Sequence, residues 1–120
     1  MKVMVVDDEA DVRTLFEQRF RREVRDGKID FCFALSGEEA LSLLEHRVSE
    51  VSLILSDINM PGMNGLDLLK AIKEKHRHLK VYLITAYGSA EYQQLALTYG
   101  CDDYFTKPLD FGVLKEKLQV

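Results

Sequence analysis

The stretch Val51-Ser-Leu-Ile-Leu-Ser-Asp57-Ile-Asn-Met-Pro-Gly-Met-Asn-Gly65 decides how this chain is read. Val51 to Ser56 is too short for a helix and rich in side chains that suit a strand. It shows no clean apolar/polar alternation, as expected of a central strand covered on both faces. Asp57 follows at the carboxyl end, and Pro61, Gly62, Asn64 and Gly65 then punctuate a loop. In open α/β sheets, sites form at that edge.

Working outward, Lys2 to Val6 reads as a second buried strand, with Asp7, Asp8 and Glu9 at its end. Acids there also suit the first turn of a helix, where free N–H groups carry partial positive charge. Glu9 is assigned only that role. Val12, Leu15, Phe16, Phe20 and Val24 fall at helical spacing, which predicts one helix from Ala10 to about Val24 with one buried face. Asp26-Gly27 ends it, and Ile29 to Leu35 reads as a strand. Ser36 stands three before Glu39, a capping-box pattern for a helix ending near Arg47. Asn64 caps a helix carrying Leu66, Leu69 and Ile72. Val81 to Ile84 is a fourth strand, closing with Thr85-Ala86. Ser89 to Tyr99 is a weaker helix stopped by Gly100. Asp103 to Thr106 is a short fifth strand, and Asp110 caps a last helix.

Strand–helix repeated five times implies a parallel α/β sheet with helices on both faces, a flavodoxin-like (βα)5 three-layer sandwich of strand order 2-1-3-4-5. Its switch point lies between the first and third strands, where Asp7, Asp8 and Asp57 emerge. Thr85 and Lys107 leave the fourth and fifth strands on the same edge. The 120 residues, 47% hydrophobic, suit one compact domain, 1–120. A net charge of −4 argues against a nucleic-acid surface. Only four apolar residues separate Lys2 from Asp7, too few for a signal-peptide core or membrane span. Cys32 and Cys101 lack a CxxC spacing and read as small hydrophobes, which fits a reduced, cytoplasmic setting. His46, His76 and His78 fall beside charged residues at helix ends and read as solvated surface.

Three carboxylates at one edge repel. At a spacing of about 5 Å and an effective dielectric of about 20, each pair costs roughly 3 kcal/mol. A proton, a lysine or a metal must offset them. Lys107 supplies one charge, and the all-oxygen set suits a hydrated Mg2+ or Mn2+. Asp8 and Asp57 are the expected direct ligands, with Asp7 acting through water and the backbone carbonyl of Asn59 adding a donor. Such a pocket can transfer a phosphoryl group to a carboxylate, with Asp57 as nucleophile and Lys107 and Thr85 facing the phosphoryl oxygens.

Asp7-Asp8-Glu9, Asp57-Ile-Asn-Met-Pro-Gly-Met-Asn-Gly65, Thr85-Ala86 and Gly100-Cys-Asp-Asp-Tyr-Phe-Thr-Lys107-Pro108 together resemble the receiver domain of two-component response regulators. The resemblance covers the whole chain. It implies a histidine kinase or phosphotransfer protein that delivers a phosphoryl group to Asp57 in a Mg2+-dependent step. It implies that Thr85 then moves toward the phosphate and that Tyr104, the switch aromatic, turns inward. The face made by the fourth helix, fifth strand and fifth helix would be read by an output domain or partner, and dimerisation through it is a further expectation. A cis Lys107–Pro108 bond is implied as well. Asn59 and Tyr87 occupy positions that tune phosphate loss in the family, and a bulky Tyr87 would screen the acyl phosphate from water. No separate turnover substrate is implied. Three rivals are a haloacid-dehalogenase-type phosphatase, which would want an acid where Asn59 stands, a flavin module, whose phosphate Asp7-Asp8-Glu9 would repel, and an unphosphorylated scaffold.

Overall fold

A computed structural model describes residues 1–86 and 88–120. Among the described residues, β1 (Lys2–Val6), β2 (Asp30–Ala34), β3 (Leu53–Asp57), β4 (Lys80–Thr85) and β5 (Asp103–Thr106) pair in parallel in the order β2-β1-β3-β4-β5. The flavodoxin-like order expected from the sequence is thus observed. Six α-helices among the described residues accompany the strands: α1 (Asp11–Arg19), α2 (Arg21–Arg25), α3 (Gly37–Arg47), α4 (Gly65–Lys75), α5 (Ala90–Thr98) and α6 (Phe111–Leu118). No helix among the described residues is long and apolar enough to cross a membrane.

The missing alternation in β1 and β3 has a direct cause, because each face of the sheet is covered. Val3, Val5, Leu53 and Leu55 point to the layer built on Phe16, Phe20, Leu114 and Leu118. Met4, Val6 and Ile54 point to the layer of Ala40, Leu44, Leu68, Leu69, Ile72 and Ala96. Every residue of β3 is buried. At roughly 1.5–3 kcal/mol for each large apolar side chain, this two-sided burial is the main term holding the sheet together.

The helix expected over Ala10–Val24 is divided at Phe20, whose φ of −109° and ψ of 18° depart from helical values. The cause is tertiary. The Phe20 ring stacks on Phe16 at 5.9 Å and meets Phe31 edge-on at 5.0 Å. Leu15 and Val24, expected on the buried stripe, are 39% and 40% exposed. The added helix shifts the numbering, so the fourth and fifth helices counted in the sequence are α5 and α6. A 3-10 turn over Val48–Glu50 delays β3 to Leu53, and the strand runs on to include Asp57.

The expected caps form. Ser36, Asn64 and Asp110 accept backbone N–H bonds from Glu39, Asp67 and Val113, and Ser89, expected only as the start of its helix, also caps it by accepting from the N–H of Tyr92. Asn64 and Asp67 complete a reciprocal box. At Ser36 the return bond differs: Glu39 Oε2 takes the N–H of Leu35 instead, at 3.4 Å. Gly100 ends the α5 segment at φ +90°, a conformation open to glycine at little cost.

Candidate functional site

Register assembles the site. Val6 pairs with Ser56, Asp57 with Ile84, and Thr85 with Thr106. Strand ends that finish level deliver Asp7 beside Asp57, and Lys107 beside them. Backbone bonds carry the alignment past the strands: Asp7 N–H to Ala34 O (3.1 Å), Ile58 N–H to Ile84 O (2.9 Å) and Lys107 N–H to Thr85 O (2.8 Å). Gly65 seals the loop after β3. A Cβ there would lie 2.3 Å from the Asp57 carbonyl oxygen and 2.7 Å from Ile58 Cα, so only glycine lets α4 start so close to the acid.

Asp7, Asp8 and Asp57 come together, with one carboxylate oxygen of each within 4.8 Å of the others. Asp7 and Asp57 are buried, whereas Asp8 faces solvent. Lys107 Nζ donates to Asp57 Oδ2 at 3.3 Å and lies 3.9 Å from Asp7 Oδ2. The other Asp57 oxygen, Oδ1, is buried without a hydrogen-bond partner among the described residues. An unpartnered buried carboxylate oxygen is costly, and a hard cation or a covalent bond would relieve it. The set of three carboxylates, one of them open to water, has the composition that a partly hydrated divalent cation takes.

Burial pushes the Asp7 carboxyl up to about 6, against the N–H of Glu9 that bonds its Oδ1 at 2.9 Å, and Asp57 adds to the rise. Burial alone would lower the Lys107 ammonium, but Asp57 and Asp7 outweigh it and hold it above the ordinary lysine range. Glu9 therefore touches the site through its backbone, a role that its side chain did not announce.

Thr85 is fully buried at the end of β4, and Asn59 Nδ2 donates to its Oγ1 at 3.5 Å. The Tyr104 ring packs on the α5 side of the core, its hydroxyl buried without a hydrogen-bond partner among the described residues. Burial lifts its phenol above the usual value, with the nearby Thr85 hydroxyl pulling the other way. The Lys107–Pro108 bond is cis. Tyr87 lies outside the described residues. His46 and His78 are exposed and His76 half-buried, all away from this edge.

Sequence reading missed two features. One is the Gly65 contact, for which the turn-like composition gave only a hint. The other is a groove of about 620 Å3 beside Lys107, lined by Val12, Leu15, Phe16, Leu109 and Phe111 among others. Its signal was Leu15, an apolar residue beyond what one buried stripe needs.

The chain matches known proteins along its length. The family model for the response regulator receiver domain matches residues 3–119. Response regulator protein PilR of Pseudomonas aeruginosa is 39% identical over 115 residues, covering 96% of this chain but 24% of PilR. A chemotaxis protein CheY homolog of Campylobacter jejuni is 34% identical over 121 residues, covering 99% of this chain and 90% of the homolog. Among solved structures, a chain of the CheX-CheY-BeF3-Mg2+ complex from Borrelia burgdorferi superposes with a TM-score of 0.88 at 26% identity, covering 99% of this chain and 87% of that one.

Proposed function

This chain belongs to the response regulator receiver domain family, the signalling module of two-component systems, and we propose that Asp57 is its phosphoacceptor. The observation that carries the assignment is the division of labour at that carboxylate. One oxygen is held by Lys107 while the other is buried and unpartnered among the described residues, with two further acids beside it. The similar CheX-CheY-BeF3-Mg2+ complex supports the same reading.

A histidine kinase or phosphotransfer protein presents a phosphohistidine. A carboxylate oxygen of Asp57 attacks phosphorus, the N–P bond breaks, and the imidazole leaves with its electron pair. Asp8, Asp57 and the Asn59 carbonyl would hold Mg2+ or Mn2+, with Asp7 acting through water. The bound cation would offset negative charge on the transferring phosphoryl oxygens. Lys107 does the same and keeps Asp57 oriented. The groove beside Lys107 offers a docking face near the acceptor.

Thr85 then engages a phosphoryl oxygen, and the inward Tyr104 is held in place. The α5–β5–α6 face is thereby biased toward the form read by an output domain or partner, or by a second copy. The unit acts in the cytoplasm on its own acyl phosphate only, without a separate turnover substrate. A phosphatase of the haloacid dehalogenase type would need an acid at Asn59.

The test is Mg2+-dependent labelling with acetyl phosphate, read by intact-mass spectrometry. One alkali-labile phosphoryl group is expected on the wild type and none on Asp57→Asn. Equal labelling of that variant refutes the assignment.

A further inference from the structure

A second polar pocket, of about 460 Å3, lies where α1 meets α2 and α6, and its charge is opposite to that of the acid edge. Its lining is Gln18, Arg19, Arg21, Arg22, Glu23, Arg25 and Lys115. Five cationic side chains thus surround one carboxylate in a chain whose net charge is −4. Basic residues do favour helix C-termini, where Arg19, Arg22 and Arg25 stand. That role leaves Arg21 unexplained, and it does not require the side chains to converge on one cavity.

The walls are held in place before any ligand arrives. The Arg19 guanidinium lies over the Phe111 ring at 5.3 Å, and Lys115 Nζ lies over Phe20 at 5.1 Å. Lys115 also pairs with Glu23 Oε2 at 3.0 Å, while Glu23 Oε1 is buried without a hydrogen-bond partner among the described residues and is a donor's target for a neighbouring guanidinium. Arg25 pairs outward with Asp26 at 3.6 Å. Arg21 and Arg22 are exposed and take part in no ion pair among the described residues. Guanidinium forks match carboxylates in pairs, and fixed donors lose less freedom on binding. Arg19 also lines the apolar groove that leads up α1 to Lys107, so the two surfaces are continuous.

We propose that this pocket is a docking site for an acidic segment of a protein partner, one whose neighbouring apolar residues follow the groove along α1. A long polyanion fits less well. The basic surface is a confined pocket, and the acid edge at the other end of α1 repels phosphates.

The test is fluorescence anisotropy of labelled hexaglutamate at low ionic strength, with the full chain. Arg21→Glu combined with Arg22→Glu should weaken binding about tenfold or more. Lys75→Glu combined with Arg77→Glu, the same charge change elsewhere, should leave it unaltered. Both pairs are exposed, and retained acetyl phosphate labelling would show that they are folded. Unchanged affinity in the Arg21/Arg22 variant, equal loss in the Lys75/Arg77 variant, or tighter binding of an oligonucleotide of equal charge would overturn the proposal.

Discussion

Asp7→Asn in chelator should make the protein more stable, although it removes a charged partner of Lys107. Burial and Asp57 raise the Asp7 carboxyl from 3.8 to about 6. A carboxyl raised on folding contributes stability below its unfolded value, and that stability is lost as pH climbs through the folded value. Above about pH 6 the ionised form therefore carries the full cost. Two units correspond to about 3 kcal/mol. Asparagine mimics the neutral acid in shape, so about 3 kcal/mol is the ceiling of the gain. Relaxation of Lys107 toward Asp57 and water entry would cut it to about half. For a chain of this length, at ~2.1 cal/mol/K per residue, that is a rise of roughly 6 °C in melting temperature. The assay is paired thermal and urea unfolding of wild type and variant in chelator, at pH 7.5 and near pH 4. The gain should be present at the higher pH and shrink to a few tenths of a kcal/mol at the lower. A variant no more stable than wild type at pH 7.5, or a gain independent of pH, would refute the electrostatic account of this edge.

Asp8→Ala and Asp57→Asn should each raise the melting temperature in chelator because each removes one of three carboxylates crowded at this edge, and Mg2+ should then stabilise wild type more than either variant, as scanning calorimetry with and without the ion would report. Gly65→Ala forces a Cβ against the Asp57 carbonyl, so the backbone at the acceptor must move. A loss of about 2 kcal/mol in urea unfolding is expected, together with slower labelling by acetyl phosphate. Tyr104→Phe deletes a buried hydroxyl that has no hydrogen-bond partner among the described residues and should stabilise the unphosphorylated form by about 1 kcal/mol; a loss of similar size would show that the hydroxyl is bonded, with the nearby Thr85 hydroxyl as the partner.

Much of this fold was legible because its signals are local. Ser36, Asn64, Ser89 and Asp110 reach only three residues forward to make their cap bonds, so their meaning travels with the sequence. The unbroken apolar runs of β1 and β3 announced two-sided burial, and four strand ends carrying Asp7, Asp57, Thr85 and Lys107 marked the site edge. Long-range packing decided the rest. Phe20 breaks the first helix because rings from Phe31 and Phe111, distant in sequence, close around it. Asp7 is the buried acid and Asp8 the open one because strand register turns one inward and the other to water. The converging arginines of α1 and α2, like the groove beside Lys107, arise only when α6 folds back against α1. Local propensity names the elements; which side chains meet is set by packing between segments that the chain brings together only on folding.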